Sequence, residues 1–340
     1  MQQQEVLASP EPEAVAPRRR GRRGRRLLAV LLGLALLVLG SIAGFVFFLT
    51  TKLTDLTSDA SLLPPSQTLG PDDSATPDEP LIEAPGENYL LIGSDAQPGE
   101  SVSRSDVIIL GHVNAAKTKV YLIHFPRDLY VEIPGRGKDK INAAYAYGGG
   151  ALLARTLQNL TSVKVDHAAK IDFEGFKSMT DAVGGVRVWA EEGSTESGFT
   201  VTEGWNDLNG EQALQFVRER YQLTEGDISR GRRQLAFVKA LMVKSLSPEV
   251  VLNPIKLTKF ITAVSDNVVV DEGMTASFMR SQALAMKGIR GGDIEFITAP
   301  FSGYGTAPNG GAIDILDEAR MEQLALALQS DTVEEYLANN

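Results

Sequence analysis

The stretch RERYQLTEGDISRGRRQ, residues 218–234, concentrates five arginines, an aspartate and a closing glutamine. Arginines this close together repel one another unless carboxylates or a polyanion lie among them, and a guanidinium fork matches phosphate oxygens bidentately. A second group comes earlier: Asp95, Arg104, Asp106, Arg127 and Asp128. Together they suggest anion chemistry, with phosphate the natural guest. Other chemistries find little support. The chain contains no cysteine, which removes thiol catalysis, disulfides and thiolate metal sites. Its serines lie in no G-x-S-x-G elbow. His112, His124 and His167 lack metal-like spacing and alternate with apolar residues, so they are expected in the core or at the surface.

These groups need elements to bring them together. The runs 88–93, 106–113 and 119–125 are apolar and β-rich and predict three strands. The short NAAKT between the second and third predicts an antiparallel hairpin. That hairpin would put the start of one strand, with Arg104 and Asp106, at the same sheet edge as the end of the next, with Arg127 and Asp128. Asp95 would be held nearby by the loop after the first strand. Further strands are expected at 186–190 and 293–299, and helices at 151–160, 173–183, 211–219, 254–265, 274–287 and 317–337. In the arginine-rich stretch the pattern predicts a helix ending near Arg218, a short extended crossing, and a new helix from Ile228 capped by Asp227. Arg230 and Gln234 would share one face of that helix, and Arg218 and Arg220 would point the same way across the extended link.

The uncharged run Leu27–Leu49 would extend about 34 Å as a helix, enough to cross a bilayer. Seven arginines directly precede it, so residues 1–26 read as a cytoplasmic tail, 27–49 as a transmembrane helix, and everything beyond as extracytoplasmic. Residues 50–86 are rich in Pro, Ser, Thr and Asp and read as a linker, leaving 87–340 as one domain. The whole chain carries a net charge of −10, and the seven arginines of the tail make the remainder more acidic still. Such a body argues against general nucleic-acid binding.

The ordered set GSD (93–95), RSD (104–106), FPRD (125–128), KINAAY (140–145), DFEGF (172–176) and RERY-x5-D-x2-R-x3-Q (218–234) resembles the LytR-CpsA-Psr family of cell-wall phosphotransferases. The resemblance implies a mixed central β-sheet flanked by helices on both faces, with an apolar tunnel for a lipid tail. It also implies transfer of a glycan phosphate from a polyprenyl-pyrophosphate carrier to a peptidoglycan hydroxyl in a Gram-positive wall. Carried over motif by motif, Asp95 and Asp106 would bind Mg²⁺ (or Mn²⁺), and Arg104 would sit beside them. Asp227 would lie near the metal or orient an arginine. Arg127, Arg218, Arg220, Arg230 and Gln234 would hold the pyrophosphate. The chemistry fits, because phosphoryl transfer needs positioning and neutralised equatorial oxygens, and Mg²⁺ favours one or two carboxylates plus phosphate. Where many relatives carry an arginine after the first aspartate motif, this chain reads SDAQPGE. Competing functions are a polyprenyl-pyrophosphate pyrophosphatase and a non-catalytic lipid-binding wall protein. Arg232 and Arg233 read as surface charge, Phe173, Phe176 and Met179 as packing, and Asn142 and Tyr145 as either a packed turn or substrate contacts.

Overall fold

A seven-stranded mixed sheet carries the site. The computed structural model describes residues 51–65 except 53, 81–94, 105–196 and 198–339. The basic tail, the Leu27–Leu49 run, Asp95 and Arg104 lie outside the described residues. In chain order the strands are β1 (Thr57–Ser58), β2 (Glu87–Ser94), β3 (Ser105–Val113), β4 (Val120–His124), β5 (Leu129–Ile133), β6 (Gly137–Lys140), β7 (His167–Ile171), β8 (Val186–Ala190), β9 (Ser194–Glu196), β10 (Phe199–Val201), β11 (Gly204–Leu208), β12 (Val268–Val270), β13 (Ile294–Thr298), β14 (Phe301–Thr306) and β15 (Ala312–Leu316). The helices are α1 (Ile141–Thr161), α2 (Phe173–Ala182), α3 (Gly210–Arg218), α4 (Asp227–Ser245), α5 (Pro248–Val251), α6 (Pro254–Asn267), α7 (Ala276–Ala285), α8 (Glu318–Ser330) and α9 (Val333–Asn339).

The main sheet runs β1-β12-β7-β2-β3-β4-β13, with β2, β3 and β4 antiparallel and β7 and β13 parallel to their inner neighbours. Side chains alternate across a strand, and both faces are buried. Leu90, Ile92, Ile108, Leu110 and Ile123 pack with Leu153 and Leu157 of α1 and Leu324 of α8. On the opposite face, Ile109, Val120 and Leu122 pack with Leu235 of α4. Helices therefore cover both faces, as the resemblance implied. A smaller layer pairs β8 with β11, and its Val186, Val188 and Leu208 pack against Phe216 of α3 and Phe237 of α4.

Strands β7 and β9–β12 and the short α5 were not predicted, and three further features differ from the sequence reading. A four-stranded sheet, β14-β15-β5-β6, was not expected. Its strands are short, and the segments FSGYGT and GKDK carry none of the usual apolar alternation. The helical run at 317–337 is broken, because Asp331 takes a left-handed conformation (φ 57°) that ends α8. Its carboxylate then meets the buried His112 Nε2 at 3.0 Å and accepts from the Ala115 amide at 3.0 Å.

Thirdly, residues 51–65 are not linker. β1 pairs in parallel with β12, the Asp59 amide donates to the Val270 carbonyl at 2.8 Å, and Ser265 Oγ donates to the Lys52 carbonyl at 2.9 Å. Asp59 caps the 3-10 turn Ala60–Leu62, and Leu62, only 2% exposed, packs against α1. The fit is close: a Cβ on Gly150 would lie 2.7 Å from the Leu62 carbonyl oxygen. The polar composition of 50–86 hides this apolar anchor, which Leu63 and Ala84 join against the same core. Leu62→Ala is expected to cost about 2–4 kcal/mol in urea unfolding, whereas a linker residue would cost about 0.5 kcal/mol or less.

Candidate active site

The β3–β4 hairpin sets the site. Ile109 pairs with His124, and the Phe125 amide donates to the Ile108 carbonyl at 2.9 Å, which prolongs the pairing to the strand end. Phe125 is fully buried and anchors the Pro126-Arg127 turn. Arg127 is thereby held beside the start of β3, and its Nη1 donates to Asp106 Oδ1 at 2.7 Å. Of the groups expected at one sheet edge, Asp106, Arg127 and Asp128 are brought together, whereas Asp95 and Arg104 lie outside the described residues.

The third element is α4. Gly226 takes a positive φ of 53° at its N-cap, and the helix starts at Asp227. Asp227 is therefore the first helical residue rather than the cap, a correction of one residue that matters for where its carboxylate goes. A carboxylate in the first turn suits the positive end of the helix dipole. Asp227 Oδ1 lies 2.6 Å from Arg230 Nη2 and 3.3 Å from Arg127 Nε, so one oxygen joins two guanidiniums. Of the two roles expected for Asp227, orienting arginines is the one these contacts perform. Behind Arg127, Asp128 lies 3.8 Å from its Nε and 2.8 Å from Lys140 Nζ.

α3 ends at Arg218, and Glu219 is extended (φ −61°, ψ 133°), so Arg218 and Arg220 both reach the same cavity from either side of it. Arg220 donates to the Tyr221 hydroxyl at 2.7 Å and lies over its ring. Gln234 is buried. Its amide nitrogen approaches the Val217 carbonyl at 3.4 Å, while Oε1 has no protein partner. Arg230 and Gln234 share a helix face and line the cavity together, as their spacing predicted.

The electrostatics divide the two central arginines. Burial disfavours the charge on Arg127, but Asp227, Asp106 and Asp128 outweigh it and raise its pKa. For Arg230, burial, together with Arg127 and Arg220, prevails over Asp227 and lowers the pKa.

The cavity has a volume of about 680 Å³. Asp106, Arg127, Arg218, Arg220, Arg230 and Gln234 line it, with Lys170, Asp172, Glu196 and Glu211 adding further charge. Its apolar lining includes Leu91, Ile109, Phe176, Met179, Phe237 and Leu241. Phe176 and Met179, expected first as packing and by the resemblance as tunnel lining, line the cavity. Asn142 is buried at the start of α1, and its amide donates to the Arg127 carbonyl at 3.2 Å, so KINAAY supports the arginine turn. Arg233 is not surface charge: it is buried and donates to Ser194 Oγ and the Glu192 carbonyl. Arg232 is partly exposed and pairs with Glu191 and Glu225. His112 and His124 are buried, and His167 pairs with Asp271 at 3.2 Å.

Sequence reasoning missed Asp314, because it sits in the unforeseen second sheet. It is 5% exposed, and its amide donates to the Asp128 carbonyl at 2.9 Å. Burial, then repulsion from Asp128 and Asp227, pushes its carboxyl up to about 6. The folded state then holds a proton that the unfolded chain releases near pH 4. Stability contributed by this proton is present below about pH 4 and is lost as pH rises through about 6. Without added divalent cation, Asp314→Asn is expected to flatten that slope and to stabilise the protein at pH 7 by about 1–2 kcal/mol. Urea midpoints at pH 4.5 and pH 7 check it.

Residues 73–330 match the family model described as LytR_cpsA_psr family. The chain is similar to a probable cell wall biosynthesis protein, LcpB, of Corynebacterium glutamicum, at 34% identity over 266 residues, covering 74% of this chain and 63% of that protein. It is 37% identical over 187 residues to a polyisoprenyl-teichoic acid–peptidoglycan teichoic acid transferase, TagU, of Enterococcus faecalis, covering 54% of this chain and 61% of that one. The chain thus spans little more than three fifths of the length of either relative. Among solved structures, Bacillus subtilis TagV aligns with a TM-score of 0.62 at 27% identity, covering 74% of this chain and 97% of TagV.

Proposed function

The chain belongs to the LytR-CpsA-Psr family, and from that premise we propose that it is a membrane-anchored, Mg²⁺-dependent phosphotransferase. It moves a glycan phosphate from a polyprenyl-pyrophosphate carrier to a hydroxyl of peptidoglycan. The observation that carries this reading is a single cavity lined both by a cluster of arginines, Arg127, Arg218, Arg220 and Arg230, and by a large set of apolar side chains. Few metabolites combine a dense anionic head with a long hydrocarbon tail, and a polyprenyl pyrophosphate does.

The donor set fits Mg²⁺. Asp106 engages Arg127 through Oδ1, and Asp95 follows β2 in the sequence. Two carboxylates with phosphate oxygens and water suit a cation that seldom takes a closed protein cage, and among the described residues no such cage is present. When bound, Mg²⁺ would neutralise developing charge on the pyrophosphate oxygens. Arg127 and Arg230, oriented by Asp227, bind the two phosphates and stabilise the equatorial oxygens. Gln234 offers an amide to the same group. The acceptor oxygen forms a bond to the glycan-linked phosphorus, the bond from that phosphorus to the bridging oxygen breaks, and polyprenyl phosphate leaves. The hydroxyl proton passes to solvent or to the departing phosphate. The hydrophobic run Leu27–Leu49 supports the anchor, with the site on the outer side of the membrane.

The test is to incubate the full chain in detergent with a polyprenyl-pyrophosphate-linked saccharide and peptidoglycan oligomers, with and without Mg²⁺, and read products by mass spectrometry. The expected product is a phosphodiester-linked glycan formed only with metal. Polyprenyl phosphate without a linked glycan would mean hydrolysis, and bound donor without turnover would mean a lipid-binding protein. Either result overturns the transferase.

A further inference from the structure

The chain has only two tryptophans, and neither is in the core. Trp189 is 49% exposed and Trp205 58%. They stand directly opposite each other on β8 and β11, with ring centroids 5.4 Å apart and planes at 79°. The Arg187 guanidinium lies 5.4 Å from the Trp205 ring centroid. The other face of this hairpin does the structural work, since Val186, Val188 and Ala190 are buried in the core. Exposed positions on a strand rarely hold two indoles unless they have something to bind.

Both rings line a second cavity of about 780 Å³. Its wall is the side of α4 turned away from the phosphate site: Arg232, Ala236, Lys239 and Val243 face it, whereas Arg230, Gln234, Phe237 and Leu241 face the first cavity. One helix, about 10 Å thick, separates the two. In a chain of net charge −10, this groove is locally basic, with Arg187, Arg232, Arg233, Lys239 and Lys244 set against three glutamates.

An indole face is a flat, electron-rich apolar surface that suits the C–H face of a pyranose. Guanidinium and carboxylate groups beside it can each hold a pair of neighbouring hydroxyls, and the excess of cations suits a glycan bearing carboxylates. A bilayer surface suits the groove poorly, because the groove is concave and its rim includes glutamates.

We propose that this groove binds the peptidoglycan strand that presents the acceptor hydroxyl, with Trp189 and Trp205 stacking on its sugars and Arg187 and Arg232 facing its carboxylates. The inference rests on the transferase reading above and adds where the acceptor lies. A strand in the groove would pass the first turns of α4, where Ser229 and Arg232 line the groove and Arg230 lines the first cavity.

The two tryptophans make the groove its own reporter, since all indole fluorescence arises there. The full chain in detergent micelles is titrated with soluble, uncrosslinked glycan strands carrying stem peptides. Emission should shift saturably to shorter wavelength, and neutral chitin oligosaccharides should bind at least tenfold more weakly. Trp205→Ala and Arg187→Ala, both surface changes and each leaving one or both fluorophores, should weaken strand binding at least tenfold. They should raise the acceptor KM to match, leaving kcat and the donor KM unchanged. Unaltered emission up to millimolar strand, or an unchanged acceptor KM in both variants, overturns the proposal. So does an emission shift on moving the protein from micelles into anionic vesicles, which would place the indoles in lipid. Strand binding needs no turnover, so a failed transfer assay with intact binding sinks only the transferase reading, and intact transfer with silent tryptophans sinks only the groove.

Discussion

Arg127→Ala is expected to lower kcat/KM for glycan transfer by about 10³- to 10⁵-fold, the range seen when a guanidinium that stabilises a phosphoryl-transfer transition state is removed. The reason is positional as well as electrostatic. Arg127 joins the hairpin carboxylate Asp106 to the helix carboxylate Asp227, at 2.7 and 3.3 Å. Without it the incoming phosphates meet Asp106 stripped of this guanidinium, and Asp227 is left with Arg230. Arg127→Lys keeps the charge but loses the fork, so it should recover only part of the loss. Far-UV circular dichroism should match wild type for both, because the sheet and helices on either side pack through residues such as Phe125 and Leu235 rather than through this arginine. Activity above a tenth of wild type in Arg127→Ala would exclude the site as assigned.

Gly231→Ala should be strongly damaging, because among the described glycines it would bring a new Cβ closest to a neighbouring atom. In an exposed helix interior the change is favourable by about 1 kcal/mol. Here the new Cβ would lie 2.3 Å from His124 Cε1 and 2.7 Å from its Nδ1. The imidazole cannot retreat, since His124 is 2% exposed at the end of β4, hemmed in by core. Burial, with Arg230 nearby, pushes its pKa down to about 3, so the ring is neutral and cannot be drawn aside by ionisation. The start of α4 must move instead, at a cost of about 1–3 kcal/mol from overpacking. Arg230 and Asp227 move with it, and a displacement of about 1 Å at a reacting centre can cost about 100-fold in rate. Thermal unfolding and kcat should both fall, and His124→Ala in the Gly231→Ala background should restore part of each. Independent, additive effects would show that the contact does not govern α4.

Much of this site could be read from residue spacing. The hairpin geometry placed Asp106 beside Arg127, the four-residue spacing put Arg230 and Gln234 on one face, and the extended link at Glu219 brought Arg218 and Arg220 to one cavity. What escaped was whatever depended on contacts distant in sequence. Asp314 reaches the site only through the β15–β5 pairing, and nothing local marks β15 as part of it. Arg233 looked like surface charge because its burial comes from packing over Phe216 and bonding to Glu192 and Ser194, all outside its own helix. Asp227 was placed one residue too early in its role, because a glycine in a left-handed conformation took the cap position.

The bond between His112 and Asp331 ties strand β3 to the end of α8, across 219 residues. Burial keeps this imidazole below its usual pKa despite the nearby carboxylate, and Asn88 holds its other nitrogen at 2.8 Å. β13 joins β4 from a comparably distant part of the sequence. The sheet centre is thus among the first parts synthesised and among the last satisfied. Such long-range closure gives high contact order and slow folding. A nascent chain that stops short of Asp331 leaves a buried ring without this partner, and one that stops short of Ile294 also leaves the edge of β4 unpaired, an aggregation-prone state. The last helices act as the latch of the fold, and their loss should be felt first in yield rather than in catalysis.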